Sequence, residues 1–473
     1  VFKGVEFRQD ANWCLRVYLV SSLPVLKLGV FFSQIFSMTA AQPRIGYCTN
    51  VHAGTNVATI QETLANHAAK IAAQRRNAGI SQSPLPVGLW IPASAAGELV
   101  AGDGAEQFAD WMATQDLQPL TINGFPFDNF HLPVVKHRVY RPAWWQRGRL
   151  DYTIQLAQLL DRIMTRMPVC DVSGEKSVGS ISTLPIGWPG RLGLGDDGQG
   201  QGVTDAQKMA TAGANLRELA DSLHQLESRT GRRIVVAIEP EPGCLLDRYG
   251  DIVDFFDREL PEVNHRRHLT VCHDVCHSAV MFESQADAIA AYAKAGIAIG
   301  KVQISSAIDV PLASMDVDQR RAAIVELMSF AEDRYLHQTG VIDAKGAFRL
   351  VEDLPQWLDS ITLRQSAGQL GSDHHLRIHF HVPVFRRELG HLRSTQDAIA
   401  QCVAAISGPG APEFTGHYEV ETYAWTVLPE RMTAGTLTPQ TLAEGIAEEL
   451  AWFERLIADK LSNNLKDSGI AAQ

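Results

Sequence analysis

Residues 271–280 read VCHDVCHSAV. With Leu269 and Thr270 in front, the first part is a short run, LTVCHD, that is largely β-branched or apolar and ends in a carboxylate. A strand that turns polar at its C-terminal end and leads into a helical pattern is how a parallel α/β sheet presents chemistry to its loops. A single such carboxylate is as well explained as a cap for the next helix. The reading therefore depends on whether other strands end the same way.

They do. Working outward, the runs RIGYCTN (44–50), PVGLWIP (86–92), PLTINGF (119–125), VGSISTLP (178–185), RRIVVAIEP (232–240), IGKVQIS (299–305), LRIHFHVPV (376–384) and HYEVETY (417–423) have the same form. Amphipathic stretches at 57–76, 149–164, 205–228 and 283–294 lie between them, and a last helix is expected from Thr438 as cap and Pro439 in the first turn. In that helix Leu442, Ile446, Leu450, Phe453 and Ile457 form one stripe. Strands alternating with helices indicate a parallel sheet wrapped by helices. The fold class is α/β, a (β/α)8 barrel with long loop insertions. Nine candidate strands are one too many for that wall, and 376–384 is expected to belong to an inserted loop hairpin instead.

Composition sets the outer bounds. The chain has 473 residues, 45% hydrophobic and 20% charged, which suits one large globular barrel. Its formal charge is −11 with no Lys/Arg-rich block, so nucleic acid is not an expected partner. Seven scattered cysteines without a secreted-type spacing point to a reducing cytoplasm. The apolar segment LVSSLPVLKLGVFFSQIF (19–36) is broken by Pro24 and Lys27, so 1–37 is read as an extension of uncertain origin, with a membrane anchor as the alternative. The barrel is expected over 38–462 and a flexible tail over 463–473. GLGDDG (193–198) spells G-x-G-x-x-G, but it follows WPGR rather than a strand and carries two aspartates that would repel a pyrophosphate. It is read as a loop.

Glu239, Asp274, Gln303 and Glu421 sit at or near the ends of four late strands. Three carboxylates brought together by a barrel repel one another, and a divalent cation is the natural compensation. His277, three residues after Asp274, is placed to touch metal or substrate. His379 and His381, two apart, share a face of an extended segment and are metal or phosphate candidates, with a solvated or core-satisfied pair as the competing reading. A structural zinc from Cys272, His273, Cys276 and His277 is disfavoured because strand neighbours point to opposite faces; the cysteines read as packing residues. Arg334, Tyr335 and His337 in RYLHQ are candidates for anion contacts or for loop packing. Lys301 is a possible Schiff-base lysine, with an ordinary buried or paired lysine as the competing reading.

VCHDVCHSAV after AIEPEPG, followed by KVQIS, an H-x-H segment and VETY, resembles the xylose isomerase-like TIM-barrel superfamily of sugar isomerases and epimerases and of endonuclease IV-type repair enzymes. More narrowly, GYCTNVH, TINGFPF, SISTLPIGW, KVQISSA, RYLHQ, HFHVP and VETYAWTVLP are similar to the EboE-type family of metabolite traffic proteins, over residues 44–458. The resemblance implies one divalent ion (Mn, Mg or Zn) on Glu239, Asp274, Gln303 and Glu421, with His381 able to assist. It implies proton transfer by Glu239 and Glu421, a catalytic or substrate contact at His277, and further substrate contacts from His379, Arg334 and Asn123. The implied partners are a small polyhydroxylated or phosphorylated metabolite and other Ebo-cluster proteins. Two departures stand out: Gln303 replaces the usual histidine ligand, and Asn123 and Thr183 or Leu184 stand where repair-type members carry histidines. A non-catalytic metabolite carrier using the same pocket is the alternative function.

Overall fold

A parallel strand covered on both faces must be apolar along most of its length. The runs that meet this condition become barrel wall in the computed structural model of the protein, which describes residues 43–80, 84–168, 178–190, 203–362, 374–428 and 439–467. They are β1 (Arg44–Cys48), β2 (Leu85–Trp90), β3 (Leu117–Asn123), β4 (Gly179–Thr183), β5 (Ile234–Ile238), β6 (Leu269–Asp274) and β7 (Ile299–Ile304). Every residue of β4, β5, β6 and β7 is buried. The extension 1–37, the 193–198 loop and the capping Thr438 lie outside the described residues.

After β7 the chain leaves the wall for a long insertion. It contributes β8 (Ile308–Val310), β9 (Thr339–Ile342), β10 (Phe348–Val351), β11 (His375–Ile378), β12 (Glu388–Leu389) and β13 (Leu392–Ser394). These form a second, six-stranded sheet in the order β10-β9-β11-β8-β13-β12, with antiparallel pairing throughout. The run 376–384 thus belongs to the insertion, as its surplus over eight strands required. Its extended part stops at Ile378, short of both histidines. Helix Gln396–Ile406 then leads back to β14 (His417–Val420), the eighth wall strand, which pairs with β7 on one side and β1 on the other and closes the barrel.

The helices are set by local signals. Asn56 with Thr59, and Thr204 with Gln207, form reciprocal capping pairs that start Val57–Asn77 and Asp205–Thr230. Gly231, at φ 67°, ends the second. The last helix, Pro439–Asp467, runs into the stretch expected as a tail; 468–473 lie outside the described residues. No helix among the described residues is long and apolar enough to cross a membrane.

The barrel interior is polar at its centre. Lys301 on β7 and Glu419 on β14, both fully buried, form a close ion pair, and the Lys301 ammonium donates to Ser182 Oγ at 3.2 Å. Gly88 on β2 makes room for this pair, since a Cβ there would lie 1.3 Å from Glu419 Oε1. Below it, Ser180 Oγ meets His417 Nδ1 at 2.7 Å. This plug fixes the floor on which the site is built.

Candidate active site and metal centre

The ends of β5, β6 and β14 bring Glu239, Asp274 and Glu421 together, with one carboxylate oxygen of each within 4.8 Å of the others. All three are buried. Asp274 shows how cap and ligand readings coexist. Its Oδ1 accepts the His277 N–H at 2.9 Å, capping helix Val275–Val280, and the Ser305 hydroxyl at 2.7 Å. Its Oδ2 has no hydrogen-bond partner, and neither has Glu239 Oε2. Glu421 Oε1 accepts from Asn50 Nδ2 at 2.6 Å and Asn123 Nδ2 at 3.0 Å. Gln303 is fully buried on β7, in register with Asp274, and both atoms of its amide lack a partner.

Electrostatics follow from the crowding. Burial, and then the Glu421 and Asp274 carboxylates, push Glu239 well above the usual carboxylate range. Burial, with Asp274 and Glu419 beside it, raises Glu421 to about 8. For Asp274 burial is opposed by the hydrogen bonds it accepts from the His277 N–H and the Ser305 hydroxyl, and it lies below its ordinary value.

Above the carboxylates three imidazoles face one another. His277 Nδ1 meets the Pro240 carbonyl at 2.9 Å, His381 Nδ1 the Glu421 carbonyl at 2.9 Å, and His379 Nδ1 the Gln338 Oε1 at 2.7 Å. These oxygens only accept, so each Nδ1 carries a hydrogen and each ring turns its Nε2 inward. His277 Nε2 and His379 Nε2 are 3.2 Å apart, and His379 Nε2 and His381 Nε2 are also 3.2 Å apart. Asp274 Oδ2 lies 3.8 Å from Nε2 of both His277 and His381. Protonation is disfavoured: burial and the flanking imidazoles hold His379 well below its usual range, and burial takes His381 down to about 4. Lone pairs at this separation repel unless a cation lies among them. The unpartnered carboxylate and amide oxygens and the inward nitrogens therefore fit a divalent ion.

The pocket over this cluster holds about 540 Å³ of empty space, its open mouth included. Asn123, Glu239, His277, His379, His381 and Glu421 all line it. Arg334 is not among its lining residues; its guanidinium lies 5.9 Å from the Tyr335 ring centroid, and Tyr335 takes the place in the wall. His337 packs the loop, through Glu332 at 2.9 Å and the His379 carbonyl at 3.0 Å. Cys272 and Cys276 are fully buried free thiols, and His273 turns away to Gln285 Oε1 at 2.7 Å. Lys301 is the paired lysine: burial works against its charge, but Glu419 and nearby thiols more than offset it and hold the ammonium above its ordinary range.

Several residues had been passed over. Glu241, in the same AIEPEPG run as Glu239, accepts from Tyr140 Oη at 2.7 Å and Gln338 Nε2 at 3.1 Å, and Gln338 in turn orients His379. The doubled carboxylate of EPEPG was the available signal. Asn50, two residues past β1, and Ser305, one residue past β7, gave none.

No family model matches the chain, and no curated protein matches it. Among solved structures the chain is similar to the IolI protein with a bound zinc atom (11% identity, TM-score 0.43, covering 88% of this chain and 99% of that one). It is also similar to L-ribulose 3-epimerase (12% identity, TM-score 0.43, 91% and 99%). A third is a xylose isomerase-like TIM barrel protein from Mycobacterium smegmatis in complex with magnesium (12% identity, TM-score 0.43, 89% and 98%).

Proposed function

We propose that the protein is a metal-dependent isomerase or epimerase acting at the carbon beside a carbonyl in a small polyhydroxylated compound. The observation that carries this reading is the convergence of Glu239, Asp274 and Glu421 beneath a pocket, with unpartnered oxygens on two of them. Glu239, Asp274 and Glu421 would hold the ion, with Gln303 and His381 as further donors. When bound, it supplies positive charge that polarises the substrate carbonyl and acidifies the adjacent C–H. The chain's own groups do the proton work. One of Glu239 and Glu421, as carboxylate, takes the proton from carbon; the C–H pair becomes a C=C bond and the C=O π pair moves onto the oxygen. The other, as acid, returns a proton to the opposite face of that carbon as the C=O bond re-forms. Both carboxyls line the pocket, as an exchange of a proton with a bound substrate requires. Asn50 and Asn123 fix the Glu421 carboxylate, and His277 and His379 orient the substrate oxygens.

The EboE-type motifs support placing this activity in an Ebo-type metabolite synthesis or traffic route, with other proteins of that cluster as partners. A second reading, a carrier that binds without chemistry, draws on Gln303, whose neutral amide is a weaker ligand than an imidazole. Heavy water separates the two. With Mn2+ and a panel of ketoses, deuterium is expected to enter beside the carbonyl, and Glu239→Gln or Glu421→Gln to abolish uptake while binding persists. A ketose that binds the Mn2+-loaded protein and takes up no deuterium over many hours would leave the carrier.

A further inference from the structure

The residues that line the pocket are of two chemistries. One set is Asn50, Asn123, Glu239, Glu421 and the imidazoles, from the strand ends and the segments beside them. The other is Phe130, Val135, Val139, Tyr335 and Leu336, contributed by the loop after β3 and by the insertion. These two segments are sewn together by their own polar groups. The Val135 and Lys136 N–H groups both donate to the Arg334 carbonyl, at 2.7 and 3.0 Å, and Tyr335 Oη donates to the Phe130 carbonyl at 3.3 Å. Phe130, Tyr335 and Tyr423 pack as a rigid cluster, with ring centroids 4.8 to 5.5 Å apart. The wall thus offers apolar side chains, and the Val135 and Lys136 N–H groups and the Tyr335 hydroxyl are spent within it. A hydroxyl pressed against it would lose water without gaining a partner, at roughly 1–3 kcal/mol.

Charge points the same way. Lys136 is the one Lys or Arg among the lining residues, and its ammonium is bound by the Asp353 carboxylate. The acidic groups Glu239, Glu241 and Glu421 line the same pocket. Away from the ion held by the carboxylates, a phosphate dianion would find no free Lys or Arg among the described lining residues.

Building on the reading of the site as an isomerase or epimerase, we propose that its substrate has two parts: a hydroxy-carbonyl head for the carboxylate set, and an unphosphorylated apolar group, of the size of an aromatic ring, for the Phe130–Val135–Val139–Tyr335–Leu336 wall. Specificity is set by that wall, and sugar phosphates are excluded.

The test is calorimetric titration of the full-length, Mn2+-loaded protein with a ketohexose, its 6-phosphate and its 6-O-benzyl ether. The benzyl ether is expected to bind at least about ten-fold more tightly than the parent sugar, as burial of an aryl group implies, and the phosphate more weakly. Val139→Asp and Leu336→Asp should each remove the benzyl advantage while leaving parent-sugar binding and far-UV circular dichroism unchanged. A benzyl ether that binds no better than the parent, or a phosphate that binds better, overturns the proposal. Deuterium uptake by the parent ketose is scored separately. Uptake with no benzyl preference sinks the two-part substrate alone, and benzyl preference with no uptake sinks the isomerase alone.

Discussion

Asp274 does two jobs with two oxygens, and the division makes it separable by mutation. Oδ1 caps a helix and accepts from Ser305, whereas Oδ2 is shared between the carboxylate and imidazole sets. Asparagine keeps the capping oxygen and replaces Oδ2 by a donor that repels a cation. Asp274→Asn is therefore expected to keep the thermal midpoint of the metal-free protein and to lose most bound divalent ion by elemental analysis. Full occupancy in that variant would rule out a shared centre. Lys301 gives the opposite lesson, because its proximity to Gln303 in sequence suggested chemistry and its partner Glu419 removes it. Borohydride with a carbonyl substrate should leave no adduct at Lys301, an ammonium with no free pair to attack. Lys301→Met should cost about 3–5 kcal/mol in urea unfolding by stranding Glu419. Adding Glu419→Gln should restore part of it; an adduct mapped to Lys301 would refute this account. At this scale the sequence showed the strand-end carboxylates because residue type and position coincide there. It hid Asn50, Gln338 and Ser305, since amides and hydroxyls in turns are ordinary and only the fold shows whom they serve.

The elements that were readable are those long enough to carry a period. Wall strands of four to seven residues and the helices 57–77, 147–166 and 205–230 stood out as apolar runs or stripes. The insertion strands β8, β12 and β13 have two or three residues each, too few for alternation to register. The last helix was read from its stripe, yet Glu449 beside that stripe was not noticed. It is 1% exposed and accepts from Thr422 Oγ1 at 2.6 Å, Trp425 Nε1 at 3.0 Å and the Val384 N–H at 3.1 Å. It thereby clamps the segments that follow both Glu421 and His381. Glu449→Ala strands these buried donors and should cost about 2–4 kcal/mol of stability. Burial raises the Glu449 carboxyl from 4.5 to about 7. The native state then holds this proton more tightly than the unfolded chain, so the side chain's contribution is greatest below about pH 4.5 and declines as pH rises toward 7. Unfolding free energies of wild type and Glu449→Gln should accordingly converge, or cross in favour of the glutamine, between pH 5 and 8. A gap that stays constant across that range would contradict the raised pKa.

For the molecule as a whole, the site is a joint between two architectures. The barrel supplies Glu239, Asp274, His277 and Glu421, and the insertion supplies His379, His381 and Gln338 from segments flanking its strands. Apolar packing already unites them, since Val310, Phe330, Leu376 and Phe380 belong to the same buried cluster as the wall strands. What packing does not relieve is the repulsion among inward lone pairs and carboxylates that meet where the two parts touch. A cation placed there stabilises the joint by mass action, about 2.7 kcal/mol at a hundred times its dissociation constant. Its removal should be felt first by the segment that brings the imidazoles in. Hydrogen exchange on the chelated protein is therefore expected to accelerate most around 375–384 and 337–342, while β4 and β5, whose hydrogen bonds lie within the wall, keep their protection. Re-addition of Mn2+ or Zn2+ should reverse the change, and Asp274→Asn should behave like the chelated protein with or without metal. Exchange that rises equally in the wall and the insertion would mean the ion holds the whole fold; exchange that does not respond to metal would mean that no ion holds this joint at all.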